Sequence, residues 1–481
     1  MNQKNSTVYI TGITLVATLG GLLFGYDTAV ISGTVNSLEH FFIIPRGLGE
    51  TAANSLLGTT VSSALIGCII GSLFAGLISD VWGRKKALII SAVLFLASAI
   101  GSAYPELGYG APGSQGHEIL GMFIFYRIIG GIGVGIASMN APLYISEIAP
   151  ANIRGRLVSF NQLAIVLGML IVYFVNLEIS RGGSHEWLLN IGWRWMFASE
   201  IIPALMFLVF LFFVPETPRW LMMKGQQENA LSVLVKMLPM ERSKVVLEEI
   251  RESLSSKKNT KLLAFGVAVL VVGALLSAFQ QFVGINVVLY YAPVIFEEMG
   301  AGQDMALVQT IIVGGVNLLF TVVAILTVDR YGRKPLMMIG AVLMGLCMLI
   351  LGTTFYTDSM GMGSLLCMLG YIAGFALSWG PVTWVLLSEM FPNTIRSWAM
   401  SLAVMVQWIS NYIVSWTFPM MDHDSYLVSH FHHGFAYWIY GAMAILAAFF
   451  VGKYVPETKG KTLEEMEAVW KPNAAKQDQA V

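Results

Sequence analysis

Three ionisable residues, Asp27, Arg127 and Glu200, stand inside long apolar stretches. A charge at membrane depth costs at least roughly 2.5–3.5 kcal/mol on insertion scales, so each is a functional candidate by default. An Asp–Arg pair would satisfy two such charges at once. It would also set opposing influences on the carboxyl: Arg127 favours ionisation and burial favours protonation. A carboxyl whose surroundings change can collect a proton on one side of a membrane and release it on the other. The alternative is a structural ion pair with no proton traffic. A second set is neutral. Gln280, Gln281 and Asn286 cluster in one apolar stretch, with Asn317, Gln407 and Asn411 in later ones and Gln162 in an earlier one. Amides offer donors and acceptors in matched pairs, which an uncharged polyol requires. Phe24, Tyr290, Trp384 and Trp408 could stack on the apolar face of a sugar ring. Any single amide could equally be glue between helices; the cluster favours a wet cavity, because a buried amide is costly unless paired.

The elements that must position these residues are spanning helices. The chain has 481 residues, 56% of them hydrophobic and only 12% charged, with a mean hydropathy of +0.70. Soluble domains carry roughly 25% charged residues, so a soluble enzyme is excluded, as is a disordered chain. The net charge of −1 gives no field for nucleic acid. A spanning helix needs about 20 mostly apolar residues. Twelve stretches qualify: 10–33, 54–79, 87–104, 118–141, 157–178, 195–214, 262–286, 305–327, 335–355, 363–387, 398–419 and 434–454. The window 262–296 is too long for one span, so the seventh helix is expected to continue into an outer segment. The first stretch reads as a retained span rather than a signal peptide, since cleavage-site residues are absent. With both termini inside, 24 of the 28 Lys and Arg fall on inner segments, three on outer ones and one within a span; this is a strong orientation signal. It places Asp27 about 25 Å from the inner end of the first span and Arg127 about 13 Å below the outer end of the fourth, at the helical rise of ~1.5 Å per residue. Glu200 falls in the same outer half.

The chain repeats itself. DVWGRKK at 80–86 returns as DRYGRKP at 329–335, EIAPANIR at 147–154 as EMFPNTIR at 389–396, and PETP at 215–218 as PETK at 456–459. The offsets of 249, 242 and 241 residues agree, and each motif follows the second, fourth or sixth span of its half. The expected architecture is therefore all-α: twelve transmembrane helices in two pseudo-symmetric six-helix bundles, 1–221 and 262–455. An intracellular helical linker, 222–261, and a cytoplasmic tail, 456–481, complete it. The linker's Leu231, Leu234, Val235 and Leu238, then Leu247, Ile250 and Leu254, predict two short amphipathic helices. The glycine of the first motif allows a tight turn that presents Arg84 and Arg333 to Glu147 and Glu389. Charge pairs across the two bundles would hold the inner side shut, with Arg154 and Arg396 alongside. Simple anchoring of membrane ends by basic residues is the plainer alternative.

These motifs, with FQQFVGINVVLYYAP at 279–293, GGLLFGYDTAVISG at 20–33, SWGPVTWVLLSE at 378–389 and SWTFPMMD at 415–422, resemble the sugar porter family of the major facilitator superfamily from about residue 8 to 470. The resemblance implies a sugar site between the bundles and alternating access by their rocking. It implies uptake of a pentose, D-xylose first, together with one proton, through a bacterial cytoplasmic (inner) membrane. By motif, its sugar contacts fall on Gln162, Gln280, Gln281, Asn286, Asn317, Trp384 and Gln407. Phe24, Tyr290, Trp408 and Gly380 join them as candidates, and Gly380-Pro381 is the expected break in the tenth span. Its proton-coupled members carry an aspartate at the Asp27 position, where facilitative relatives are neutral. Arg127 matches the family's paired arginine and Glu200 its supporting acid. Arg396 is followed by Ser397 rather than the family's glycine. An uncoupled hexose or pentose carrier is the nearest alternative; a non-transporting sugar receptor or an efflux antiporter for apolar drugs fits less well. No cofactor and no enzyme activity are expected, and a monomer is. The three cysteines, Cys68, Cys347 and Cys367, offer no disulfide framework. All seven histidines fall in outer loops; His430, His432 and His433 could bind a metal, but read as solvated loop residues, so no metal site is expected.

Overall fold

The computed structural model describes residues 3–111, 116–149, 154–255, 267–392 and 395–459, with 466, 469 and 470 beyond them. The stretch 150–153, the end of the linker, the side chain of Arg154 and most of the tail lie outside the described residues. All the regular elements described are helices. The chain divides into two compact units, 1–47 with 63–257 and 48–62 with 258–481.

The first unit holds α1 (Gln3–Ala29), most of α2 (Glu50–Trp82), α3 (Arg84–Ala103), α4 (Leu120–Ile148), α5 (Arg154–Arg181), α6 (Trp193–Ala198) and α7 (Ile201–Leu211). The linker helices α8 (Pro218–Met223), α9 (Gln227–Met237) and α10 (Met240–Ser255) also group with it. The second unit holds α11 (Val267–Phe282), α12 (Ile285–Tyr290), α13 (Ala292–Glu298), α14 (Gln303–Tyr331), α15 (Arg333–Tyr356), α16 (Met362–Leu377), α17 (Trp379–Met390), α18 (Arg396–Asp422), α19 (Ser425–Phe431) and α20 (Gly434–Tyr454). Eleven helical segments are long and apolar enough to cross a membrane, and the 27-residue α18 supplies the twelfth. They match the twelve apolar stretches one for one. The same pairings recur in each unit: α1 on α5 and α11 on α18, α3 on α4 and α15 on α16, α3 on α7 and α15 on α20. This is a twelve-helix membrane fold made of a doubled six-helix unit.

Lipid offers no hydrogen bonds, so a spanning helix breaks only where protein groups take over its backbone. The seventh span does so twice, at Val283–Gly284 and at Tyr291. Gly284 takes a left-handed φ of 90°, and the freed Val283 carbonyl accepts a hydrogen bond from the Tyr371 hydroxyl at 2.8 Å. The tenth span breaks at Ser378, two residues ahead of the expected Gly380-Pro381. Pro381 lacks the N–H that would bond to the Leu377 carbonyl, so the helix ends at Leu377, and the proline sits harmlessly in the first turn of α17. The sixth span breaks at Ser199–Glu200 between α6 and α7.

Close backbone contact fixes the neighbours of α1. A Cβ on Gly25 would overlap the Ile165 carbonyl oxygen of α5, and one on Gly168 the Leu22 carbonyl oxygen; small residues at facing positions let membrane helices touch backbone to backbone. The linker forms the two expected helices, α9 and α10. The buried face of α9 is Ala230, Val233, Leu234 and Met237, one residue out of register with the sequence reading, which shares only Leu234. Leu238 lies past the helix end, and Ala230 is small enough to sit against the unit.

Gly83 and Gly332 form the turns before α3 and α15 with φ of 102° and 93°. At Gly83 an added Cβ would also strike the Glu216 carboxylate, whereas Gly225, with φ 73°, has nothing within 4 Å. Gly83→Ala should therefore lower the thermal unfolding midpoint clearly more than Gly225→Ala. Equal losses would show that backbone strain alone sets the requirement.

Candidate functional site

In the first unit α1, α4 and the joint between α6 and α7 bring the three membrane charges together. Arg127 Nη1 donates to Asp27 Oδ1 at 2.7 Å and Nη2 to the Asp27 main-chain carbonyl at 3.1 Å, both groups closed to solvent. The Glu200 carboxyl, fully buried, stands against Asp27 and within the field of Arg127. Asp27 Oδ2 and both Glu200 oxygens have no other hydrogen-bond partner among the described residues. The guanidinium carbon also lies 5.2 Å from the Phe197 ring centroid, and the Tyr26 hydroxyl meets Ser199 Oγ at 2.7 Å, tying α1 to the helix break. Two carboxylates and one guanidinium leave one negative charge uncompensated in a dry site. A single proton makes the trio neutral, and facing carboxyl oxygens are where it would sit.

At one end of each unit the three doubled motifs close into one cluster. Arg84 Nε and Nη2 donate to Glu147 Oε1 at 3.3 and 3.0 Å, and Thr217 Oγ1 donates to Glu147 Oε2 at 2.6 Å. Glu216 accepts the backbone N–H groups of Arg84, Lys85 and Thr217 at 2.9–3.2 Å. The second unit repeats this. Arg333 Nε and Nη2 donate to Glu389 at 3.0 and 2.8 Å, Thr458 to Glu389 at 2.5 Å, and Glu457 accepts from the backbone of Arg333, Lys334 and Lys459. A carboxylate on the first N–H groups of a helix completes its open end and complements its dipole. The expected pairing across the bundles is corrected: each arginine closes on the glutamate of its own unit. Side-chain exposure is 6% for both Arg84 and Glu147 but 11% and 29% for Arg333 and Glu389. Burial pushes the Glu216 carboxyl up against the pull of its N–H donors, whereas in Glu457 four backbone donors outweigh burial and hold it down. Glu216 thus protonates first as pH falls. Arg396 donates to the Phe391 carbonyl.

In the second unit the amides form a chain. Asn286 Nδ2 donates to Gln281 Oε1 at 2.5 Å, Gln281 Nε2 to Gln280 Oε1 at 3.4 Å, and Gln280 Nε2 to the Trp379 carbonyl at 2.8 Å. The break after α11 carries Asn286 back over Gln281, and the break before α17 presents the Trp379 carbonyl to Gln280. Bonds running in one direction polarise one another, and further amide hydrogens remain to meet a ligand. Nearby, Asn411 donates to the Tyr290 hydroxyl at 3.4 Å and accepts from Ser415 Oγ at 3.0 Å. Gln407 is buried, and its Oε1 has no partner among the described residues. Asn317 and Trp408 are buried; Trp384 is half-buried on α17, and Gly380 is buried in its first turn. Gln162 and Phe24 are half-buried in the first unit.

A family model described as "Sugar (and other) transporter" matches residues 13–470. The chain belongs to the sugar transporter family. It is 58% identical to the D-xylose-proton symporter of Escherichia coli K12 over 100% of this chain and 99% of that one. It is 42% identical to the glucose facilitated diffusion protein of Zymomonas mobilis over 98% of this chain and 99% of that one. An inward-open structure of the E. coli xylose transporter XylE aligns with a TM-score of 0.87 at 57% identity, covering 96% of this chain and all of that one. This sugar transporter therefore has the major facilitator fold and is a carrier rather than an enzyme.

Sequence reasoning does not find several polar groups of the transporter. Arg194 reads as a lone cation on an outer segment, yet it holds Glu106 with two bonds of 2.8 and 2.6 Å inside the first unit. Glu216 and Glu457 stand out only as repeats; the doubled Pro-Glu-Thr is the available signal. Asp422 reads as the edge of a span, but it is fully buried at the end of α18.

The Asp27–Arg127 pair has a measurable signature. Arg127→Met alone leaves a buried carboxylate unpaired and should cost about 3–5 kcal/mol of stability. Combined with Asp27→Asn it should cost far less, so a double-mutant cycle on unfolding should show strong coupling. Additive losses would mean that the two groups do not compensate each other.

Proposed function

We propose that the chain is a proton-coupled symporter that imports a pentose, D-xylose first, by alternating access. The observation that carries the reading is the buried trio of Asp27, Glu200 and Arg127, which one proton neutralises. The substrate follows from the 58% identical relative that bears the name D-xylose-proton symporter and from the neutral donors a sugar needs. In this reading Gln280, Gln281, Asn286, Asn317 and Gln407 bind the sugar hydroxyls, and Trp384, Trp408, Tyr290 and Phe24 flank the ring. Gln162 is a further candidate for the sugar, and Gly380 keeps the start of α17 slim. The two arginine–glutamate clusters steady the inner ends, with Arg154 and Arg396 as further candidates for that role. The distribution of Lys and Arg supports both termini in the cytoplasm, and in this reading the chain resides in a bacterial cytoplasmic membrane as a monomer of two six-helix bundles joined at 222–261. A second reading, uncoupled diffusion, is favoured by the 42% identical facilitator.

Two measurements separate these readings. Asp27→Asn should still bind and exchange sugar in proteoliposomes but should lose accumulation, because a neutral amide cannot cycle a proton. One charge moving through 100 mV is worth about 2.3 kcal/mol, or roughly a fiftyfold concentration ratio, and the variant should lose that ratio. Full accumulation by Asp27→Asn would reject coupling at this site and favour the facilitator. Gln280→Ala should weaken D-xylose binding, by about 1–3 kcal/mol if it leaves buried hydroxyls unpaired, as read by calorimetry. Unchanged affinity there and in Gln281→Ala would place the sugar elsewhere.

A further inference from the structure

Opposite the Arg333–Glu389 end of the second unit, α13 ends, α18 ends and α20 begins. Three side chains converge there: Glu298 from the last turn of α13, Asp422 as the last residue of α18, and His423 immediately after it. One ligand atom from each lies within 4.8 Å of the other two. Asp422 is fully buried. Its Oδ1 accepts from His433 Nδ1 at 3.3 Å. Its Oδ2 has no hydrogen-bond partner among the described residues and lies 4.0 Å from His423 Nε2. Glu298 Oε2 is also buried and unpartnered among them. The hydroxyls of Tyr437 and Tyr440, beside Asp422, are two more buried groups of this kind.

Two facing carboxylates cannot both stay ionised without something positive between them. The geometry points to a binding site for a divalent transition-metal cation of the zinc class, with Glu298, Asp422 and His423 as ligands. Two carboxylates and the cation sum to zero charge. Three protein ligands leave the fourth tetrahedral position to water. Tetrahedral bonds of about 2.0–2.2 Å space ligand atoms ~3.4 Å apart, so the side chains must draw in by roughly 1.4 Å at most. His433 supplies the outer hydrogen bond that orients a ligating carboxylate. The imidazole selects a transition metal over Ca²⁺ and Mg²⁺, which want oxygen alone. His423, with a side chain 34% exposed, gives the ion its path from solvent. A bound ion would join α13, the last piece of the broken seventh span, to α18. The inference is independent of the sugar carried.

The test is titration of ZnCl₂ into the purified, EDTA-stripped full chain, followed by calorimetry and thermal unfolding. One zinc should bind per chain and raise the unfolding midpoint. His423→Gln and Glu298→Gln should each weaken binding at least tenfold and abolish the zinc-dependent shift, and CaCl₂ should give neither effect. No saturable binding would mean that a proton, not a metal, bridges the carboxyls, and the inference falls. It falls equally if both variants bind as the parent does, if CaCl₂ binds as well as ZnCl₂, or if only the His430→Gln, His432→Gln double variant loses the ion.

Discussion

Asp27 and Arg127, 2.7 Å apart in an apolar interior, impose a condition on everything around them. Neither charge can be left alone there, and neither can reach water. Around the pair, α1 packs backbone to backbone on α5 at Gly25 and Gly168, and the break in the sixth span is where Glu200 joins it. In the symport proposed above, this is the site that would carry the proton.

The second unit meets the same solvent problem with neutral groups. The break at Gly284 releases a carbonyl that lipid could not satisfy, and Tyr371 takes it over, while the break at Ser378 sets the start of α17 so that its Trp379 carbonyl meets Gln280. The same two breaks bring Gln280, Gln281 and Asn286 together as a polar surface. An amide chain with spare hydrogens suits a ligand that is itself an array of hydroxyls, and it does so without a charge that would have to be desolvated each time the site empties.

The twelve spans and the doubled unit were legible because apolar length and motif repetition are written locally. The Asp27–Arg127 pair was legible because charges at membrane depth are rare. What escaped was set by tertiary contact. The break in the tenth span shifted from Gly380 to Ser378, because a proline frees the carbonyl four residues before it. The face of α9 was one residue off, because Ala230 and Leu231 are equally plausible until a neighbour chooses between them. Asp422, Glu106 and Arg194 sit at the ends of apolar stretches, where sequence alone cannot separate a buried charge from a solvated one. Arg84 and Glu147 were rightly joined in type, but nothing in the spacing said that each pair closes within its own half.

The clusters around Arg84 and Arg333 share their chemistry but not their shielding from solvent. Charges in contact with water are screened over about 8 Å at physiological ionic strength, and buried ones far less. Glu389, more open than Glu147, is therefore the more strongly screened of the two. Duplication supplied two copies of one electrostatic joint, and unequal burial has made one of them more sensitive to ionic strength than the other.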